Sequence, residues 1–296
     1  MNSLTLALGF GIVSAAMLAL GAVGFTLQFA VADLFNLAYG EVMTVSAFAG
    51  YNAWAILHTD LILALLSGAV VGAAVSVLLN VVVFRPFKRR GSSRFVMVMV
   101  TLGVSQVILN LIQICAGVDP YSYPRPSIHS VHIAGMIFTG RQLGVIAFAV
   151  LAVAVLQLCF RATRGGKAIR ATASDGELAS ICGISTRRVV NITWLISGAF
   201  CGAAGVAFAS DTPGFDFAFG SRFFFLIVAA AVFGGVGKPS AAVVGAVIVG
   251  ISSELAAIIA PVLREVVALL ALVVALLVRP SGVLSRPKSA AEQFSA

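Results

Sequence analysis

Three carboxylates, Asp33, Glu41 and Glu254, sit within or at the edge of long apolar runs. A polar or ionisable side chain in hydrocarbon is costly, so each such position either bonds a neighbouring helix or belongs to a site. Asn36 and Gly40 interrupt the same run as Glu41, and Thr101, Ser105, Gln106, Asn110 and Gln113 dot another. Such groups can offer hydrogen bonds and charge to the ammonium and carboxylate of a small solute in transit. Covalent catalysis is not expected, because no Ser/His/Asp set and no HExxH run is present. The cysteines Cys115, Cys159, Cys182 and Cys201 lack CxxC spacing, and His58, His129 and His132 form no helical ligand pair near one. They read as small buried hydrophobes or reduced thiols, with no metal. Around Lys238, "GGVGKPS" imitates a phosphate loop but has Val232 and Pro239 where Gly and Ser or Thr are needed. The chain is therefore expected to be no enzyme and to hold no cofactor.

The elements that must place these residues are membrane helices. Of 296 residues 60% are hydrophobic and only 10% charged, and mean hydropathy is +1.07. A soluble globule carries about a quarter charged residues. A span of roughly 30 Å needs about 20 apolar residues. Candidate spans cover 4–31, 38–57, 61–83, 95–116, 142–160, 189–209, 222–236, 240–260 and 263–278, with the break at 32–37 and the short seventh span least defined. The expectation is an all-α polytopic membrane helix bundle of about 8–10 transmembrane segments, a single domain over 1–296. The opening stretch lacks a basic leader and is too long for a signal peptide, so it reads as the first span.

The formal net charge of +8 does not mark nucleic-acid binding. Placing 85–94, 161–188, Lys238 and the tail from Arg279 on one side collects fifteen of the nineteen Lys and Arg; Arg125, Arg141, Arg222 and Arg264 fall on the other. The basic side is cytoplasmic by the positive-inside rule. Hence the tail 280–296 is expected in the cytoplasm and the Pro-rich segment 117–140 outside. There Tyr121 and Tyr123 either dock an external partner or lie on the headgroups, and "SIHSVHIAGMIF" suits a short hairpin. Gly198 and Gly202 in "GAFCG", with Ala241, Gly245, Ala246 and Gly250, give the spacing of closely packed helices. In the fourth span Gln106, Asn110 and Gln113 share an arc of about 60°. Thr101 and Ser105 lie on another face; one face bonds a neighbour and the other lines a passage. Glu254 has no basic residue in its own helix, so it pairs with a partner subunit or faces the path.

The loop 161–188 is the one long wet insert. Within "RATASDGELASICGI" a short amphipathic helix is expected, with Ser174 or Asp175 as N-cap and Glu177 in the first turn. Leu178, Ile181 and Cys182 make its apolar face, and Gly183 ends it. Held by long spans at both ends, such an element can pass force to the bundle.

Glu177-x-Ala179-x-x-x-Gly183 resembles the E-A-A-x-x-x-G loop of ABC importer permeases, with Leu178 for the first alanine. "GKAIRATASDGELASICGI" resembles the G-R-A-[ML]-R-A-T-A run of branched-chain amino acid permeases of the LivH type. "LFNLAYGEVMTVSAFAGY", "VFRPFKRR", "TLGVSQVILN" and "LLVRPSGVLSRP" are similar to further segments of that family. Tyr39 replaces a common histidine. "FGGVGKPSAAVVGAVIVG" matches in part, departing at Lys238, Pro239 and Ala241.

The resemblance implies an inner-membrane permease subunit of a bacterial ATP-driven importer. Its substrates would be branched-chain or related small amino acids, with urea, amides or aromatic acids as alternatives. It further implies two separate ABC ATPase subunits, which use the ATP, a second LivM-like permease subunit and a periplasmic binding protein. The coupling helix would carry Ala173, Asp175, Glu177, Ala179, Gly183 and Ile184. Asn36, Gly40, Glu41, Thr101, Ser105 and Glu254 are the candidates for the substrate pathway. The rival of another class is an ion-gradient secondary transporter, which would need a connected intramembrane charge relay.

Overall fold

The computed structural model describes residues 3–57, 60–123, 130–133, 136–235, 237–258, 260 and 263–278. Pro124, Arg125, Pro126 and the tail 280–296 lie outside the described residues. Helices α1 (Ser3–Ala32), α2 (Tyr39–Leu57) and α3 (Leu61–Leu79) come first, and α3 continues through a π-turn, Asn80–Phe84, into α4 (Arg85–Arg89). Helix α5 (Arg94–Ala116), the hairpin β1 (Ser130–Ile133) and β2 (Met136–Thr139), and α6 (Gly140–Ala162) follow. Then come α7 (Arg164–Ser174), α8 (Gly176–Ile181), α9 (Thr186–Asp211), α10 (Phe219–Gly234), α11 (Pro239–Ala257) and α12 (Leu263–Val278). The strands pair antiparallel, with Val131 opposite Phe138. They are the sole strands among the described residues, so the fold is all-α.

Among the described residues six helices are long and apolar enough to cross a membrane, the second of them running from α3 through α4, and α10 is a shorter apolar one. The two ends of the bundle differ. At one end Lys88 donates to the Ala32 carbonyl (3.0 Å) and Arg94 pairs with Asp33 (2.9 Å). At the other, Gln142 of α6 donates to Asp211 of α9 (3.0 Å) and Gly9 of α1 lies by Met136 of the hairpin. Helix α1 thus runs from the hairpin end to the basic end, and α9 runs the opposite way.

The packing repeats with this inversion. Helix α1 lies along α11 as α9 lies along α3, and α2 packs on α3 as α10 packs on α11. The chain is two inverted four-helix units, α1–α2–α3–α5 and α9–α10–α11–α12, with α6, α7 and α8 between them. Inverted repeats of this kind place their junction near the membrane midplane. Close approach holds the units together: Gly198 and Gly202 of α9 sit against Gly72 and Gly68 of α3, where an added Cβ would strike a facing backbone. Little hydrophobic force acts between helices in lipid, so this contact, with polar cross-links, supplies the cohesion. One cross-link is Asn80 to Asn191 (2.9 Å) and another is Ser14 to Glu254 (2.6 Å).

Tyr121 and Tyr123, of the Pro-rich segment, turn inward. Tyr123 is buried and donates to the Ala47 carbonyl (2.8 Å), and Tyr121 donates to Ala116 (2.8 Å). With Phe48, Tyr51, Trp54 and Phe215 they form an aromatic plug. Burial pushes the Tyr123 phenol above its ordinary pKa. Each hydroxyl finds its acceptor inside the fold.

Candidate functional site

The break after α1 becomes a site because α2 starts inside the bundle. Residues 33–38 run non-helically from the basic end, and the Asn36 side chain accepts from the Ala38 amide (3.1 Å). The second unit does the same: Asp216 accepts from the Ala218 amide (3.2 Å) ahead of α10. The two half-helices meet at their N-termini. A Cβ on Gly220 would collide with the Gly40 carbonyl, and the Gly220 amide donates to Thr44 Oγ1 (2.9 Å). Glu41, in the first turn of α2, is 1% exposed and accepts from Ser221 of α10 (2.6 Å) and Ser105 of α5 (3.2 Å). A carboxylate at a helix N-terminus is favoured by the dipole. Glu41 Oε2 is buried with no hydrogen-bond partner among the described residues. The centre therefore holds one unused acceptor at the junction of the repeats.

Helix α5 separates its two polar faces. Thr101 donates to Val98 (2.8 Å) and to the Phe35 carbonyl (3.3 Å), and Ser105 reaches Glu41, so this face binds the break. Gln106 and Asn110 are exposed on the opposite side, where Gly103 has open space around it. Asn110 satisfies one donor within the helix, on the Gln106 carbonyl (2.7 Å). Lipid-facing helices do not normally carry an amide stripe.

Glu254 is 6% exposed and ion-pairs with Arg264 of α12 (2.6 Å) while accepting from Ser14. The basic partner missing from its own helix arrives from the next one. The cleft beside it, lined by Asp211, Ser253 and Arg264, has about 30 Å³ of free volume. At about 10–15 Å³ for each water by this measure, that is room for a few waters.

The wet insert forms two helices rather than one. Thr163 caps α7 through the Gly166 amide (3.0 Å). Asp175 ends α7 and caps α8, accepting from Glu177 (3.0 Å) and Leu178 (2.9 Å) amides. Gly183 closes α8 at φ +82°, and the Ile184 amide bonds the Ala179 carbonyl (3.0 Å). Ala179 is buried, while Ala173 and Ile184 pack with Ile169 and Val189 against α1. Leu178 and Ile181 point away from the bundle, Ile181 being 81% exposed. Helix α8 is a capped and backed platform with a bare apolar face at the basic end.

Residues 7–277 match the family described as branched-chain amino acid transport system / permease component. The chain belongs to this family. It is 29% identical over 298 residues to the high-affinity branched-chain amino acid transport system permease protein LivH of Escherichia coli K12, covering 94% of each chain. To BraD of Pseudomonas aeruginosa, of the same description, it is 25% identical over 91% of this chain and 92% of that one. A probable LivH of Methanocaldococcus jannaschii is 26% identical, over 79% and 75% respectively. No solved structure matches the chain.

The structure brings Asn36, Gly40, Glu41, Thr101 and Ser105 into one cluster and places Glu254 apart, at the hairpin end. Sequence reasoning missed Thr44, Ser221 and Arg264. Ser221 had a signal: Phe35-Asn36-Leu37-Ala38-Tyr39-Gly40 recurs as Phe215-Asp216-Phe217-Ala218-Phe219-Gly220, which puts Ser221 where Glu41 stands in the first copy.

Proposed function

We propose that the chain is the permease subunit of an ATP-driven importer of branched-chain or related small amino acids in the bacterial inner membrane. Two separate ATPase subunits use the ATP, a second LivM-like permease completes the channel, and a periplasmic binding protein delivers the solute. The observation that carries this reading is the α8 platform. An exposed Leu178/Ile181 face, capped by Asp175 and ended by Gly183, offers a soluble neighbour a grip backed by α7 and α9. Its end of the bundle carries most of the basic charge and is cytoplasmic by that rule, as is the tail 280–296.

The substrate pathway in this reading runs past the half-helix junction. Glu41 Oε2 and the N-terminal turns of α2 and α10 meet the solute's ammonium and carboxylate, with Asn36 and Gly40 shaping the break. Thr101 and Ser105 hold that wall, the amides of α5 face the water-filled side, and Glu254 steadies the outer end through Arg264.

Co-purification tests the reading. Affinity-purified chain should bring down the ATPase subunits, and Glu177→Ala with Gly183→Val should lose them while keeping the second permease. A purified chain that moves solute down an ion gradient without ATPase subunits would establish the secondary-transporter alternative instead.

A further inference from the structure

The open face of α10 is confined to its start. Gly220, Phe224 and Ile227 form one buried stripe, and Arg222 lies on the opposite side of the helix. Phe225, one turn beyond Arg222, is 52% exposed, whereas every residue from Leu226 to Val232 is buried. A helix that faces lipid is bare along its length; this one is bare only over its first two turns. The inverted repeat does not demand a charge here. The position equivalent to Arg222 in the first unit is Val42, which is buried.

The Arg222 side chain is more than half exposed although α10 begins inside the bundle, at the Gly40 contact. An arginine at such a depth faces water or a protein-lined path rather than hydrocarbon, and residues of this kind mark solute routes. Asp216 aims it. One oxygen of the Asp216 carboxylate accepts from the Ala218 amide (3.2 Å), and the other accepts from Nη2 of Arg222. A guanidinium has five N–H donors in a rigid fork, so donors remain for a second carboxylate. The residue before Arg222, Ser221, donates to Glu41 (2.6 Å), and the buried acid thus lies against the same turn. An acid, a fork of donors and a bare aromatic ring meet around these two turns. An apolar α-amino acid has the complement of each: an ammonium, a carboxylate and a hydrocarbon side chain.

We propose that Arg222, aimed by Asp216, is the site that takes the solute's carboxylate in transit, with Phe225 against the solute's apolar side chain. This deepens the importer reading and rests on it. The ring beside the fork selects an apolar amino acid over a bare anion, and Glu41 selects it over an acid that lacks an ammonium.

The test is thermal unfolding of the complete transporter in neutral detergent, without its binding protein. It is titrated with leucine or with 3-methylbutylamine, which is leucine lacking its carboxylate. On wild type, leucine should raise the midpoint at a concentration about ten-fold lower than the amine requires. In Arg222→Gln that preference should vanish while the amine acts as before. Arg222→Lys, with a charge but no fork, should keep about a third of it, and is read alone should Arg222→Gln fail to fold. Phe225→Ala should weaken both ligands alike. A role confined to the ion pair with Asp216 would lower the unliganded midpoint and leave the preference intact. An unchanged preference in the Arg222 variants, an equal response to acetate, or loss of the second permease from Arg222→Gln would each overturn the proposal. So would a wild type that leucine does not stabilise while its ATPase subunits stay attached, a result that leaves the importer reading standing.

Discussion

Glu41 and Ser221, 180 positions apart, share a 2.6 Å hydrogen bond where the first turns of α2 and α10 meet. The bond joins the two inverted units beside the Gly40/Gly220 contact, and both helices begin there rather than at a membrane surface. The junction is the closely packed centre of the bundle, with Glu41 buried at it.

Gly220→Ala tests the close approach. Its Cβ would strike the Gly40 carbonyl, and backbone cannot yield as a flexible side chain does. A loss of about 1–3 kcal/mol is expected, typical of overpacking. It should show as a lowered unfolding midpoint in detergent, whereas Gly103→Ala on the open face of α5 should unfold as wild type does.

Ser221→Ala separates stability from transport. One interhelical hydrogen bond in a membrane protein contributes about 0.6 kcal/mol on average, so assembly should survive. The Glu41 carboxylate would keep only Ser105 as a donor. Uptake by reconstituted transporter should fall well beyond what the small loss of stability explains, and an unchanged rate would detach this bond from the pathway.

The ion pair at the hairpin end calls for a double-mutant cycle. Glu254→Gln and Arg264→Gln should each lower stability, and the double variant should lose less than their sum, with a coupling of about 1 kcal/mol by thermal unfolding. Full additivity would mean that the pair makes no net contribution.

How much of this the sequence revealed depends on range. The spans were legible because hydropathy acts over some 20 residues, and α8 because its cap and its stop, Asp175 and Gly183, are local signals. Arg264 was invisible as the partner of Glu254, since the two lie on different helices and hydropathy does not say how those pack. The faces of α5 were visible as two arcs, but their assignment needed the tertiary fold. Only there does Ser105 meet Glu41 while Gln106 and Asn110 stay bare. The inverted repeat was written in the Phe-Asn/Asp-x-Ala-x-Gly pair, yet a six-residue pattern that occurs twice, 180 positions apart, gives no periodicity to detect.

Sidedness can be read from a native thiol. Cys182 is exposed beside the α8 platform. With Cys115, Cys159 and Cys201 replaced by Ala, a membrane-impermeant maleimide should label inside-out vesicles and leave intact cells unlabelled. The reverse pattern would put the platform on the outer face.

The central claim is that a separate ATPase drives the bundle through Leu178 and Ile181. ATP-dependent uptake of labelled leucine into vesicles carrying the complete transporter measures it most directly, comparing wild type with Leu178→Ser/Ile181→Asp. Both side chains are exposed, so the variant should fold and keep its second permease while uptake drops to less than about a tenth and the ATPase subunits dissociate. Undiminished uptake by the variant, or uptake by wild type with the ATPase subunits left out, would contradict the account.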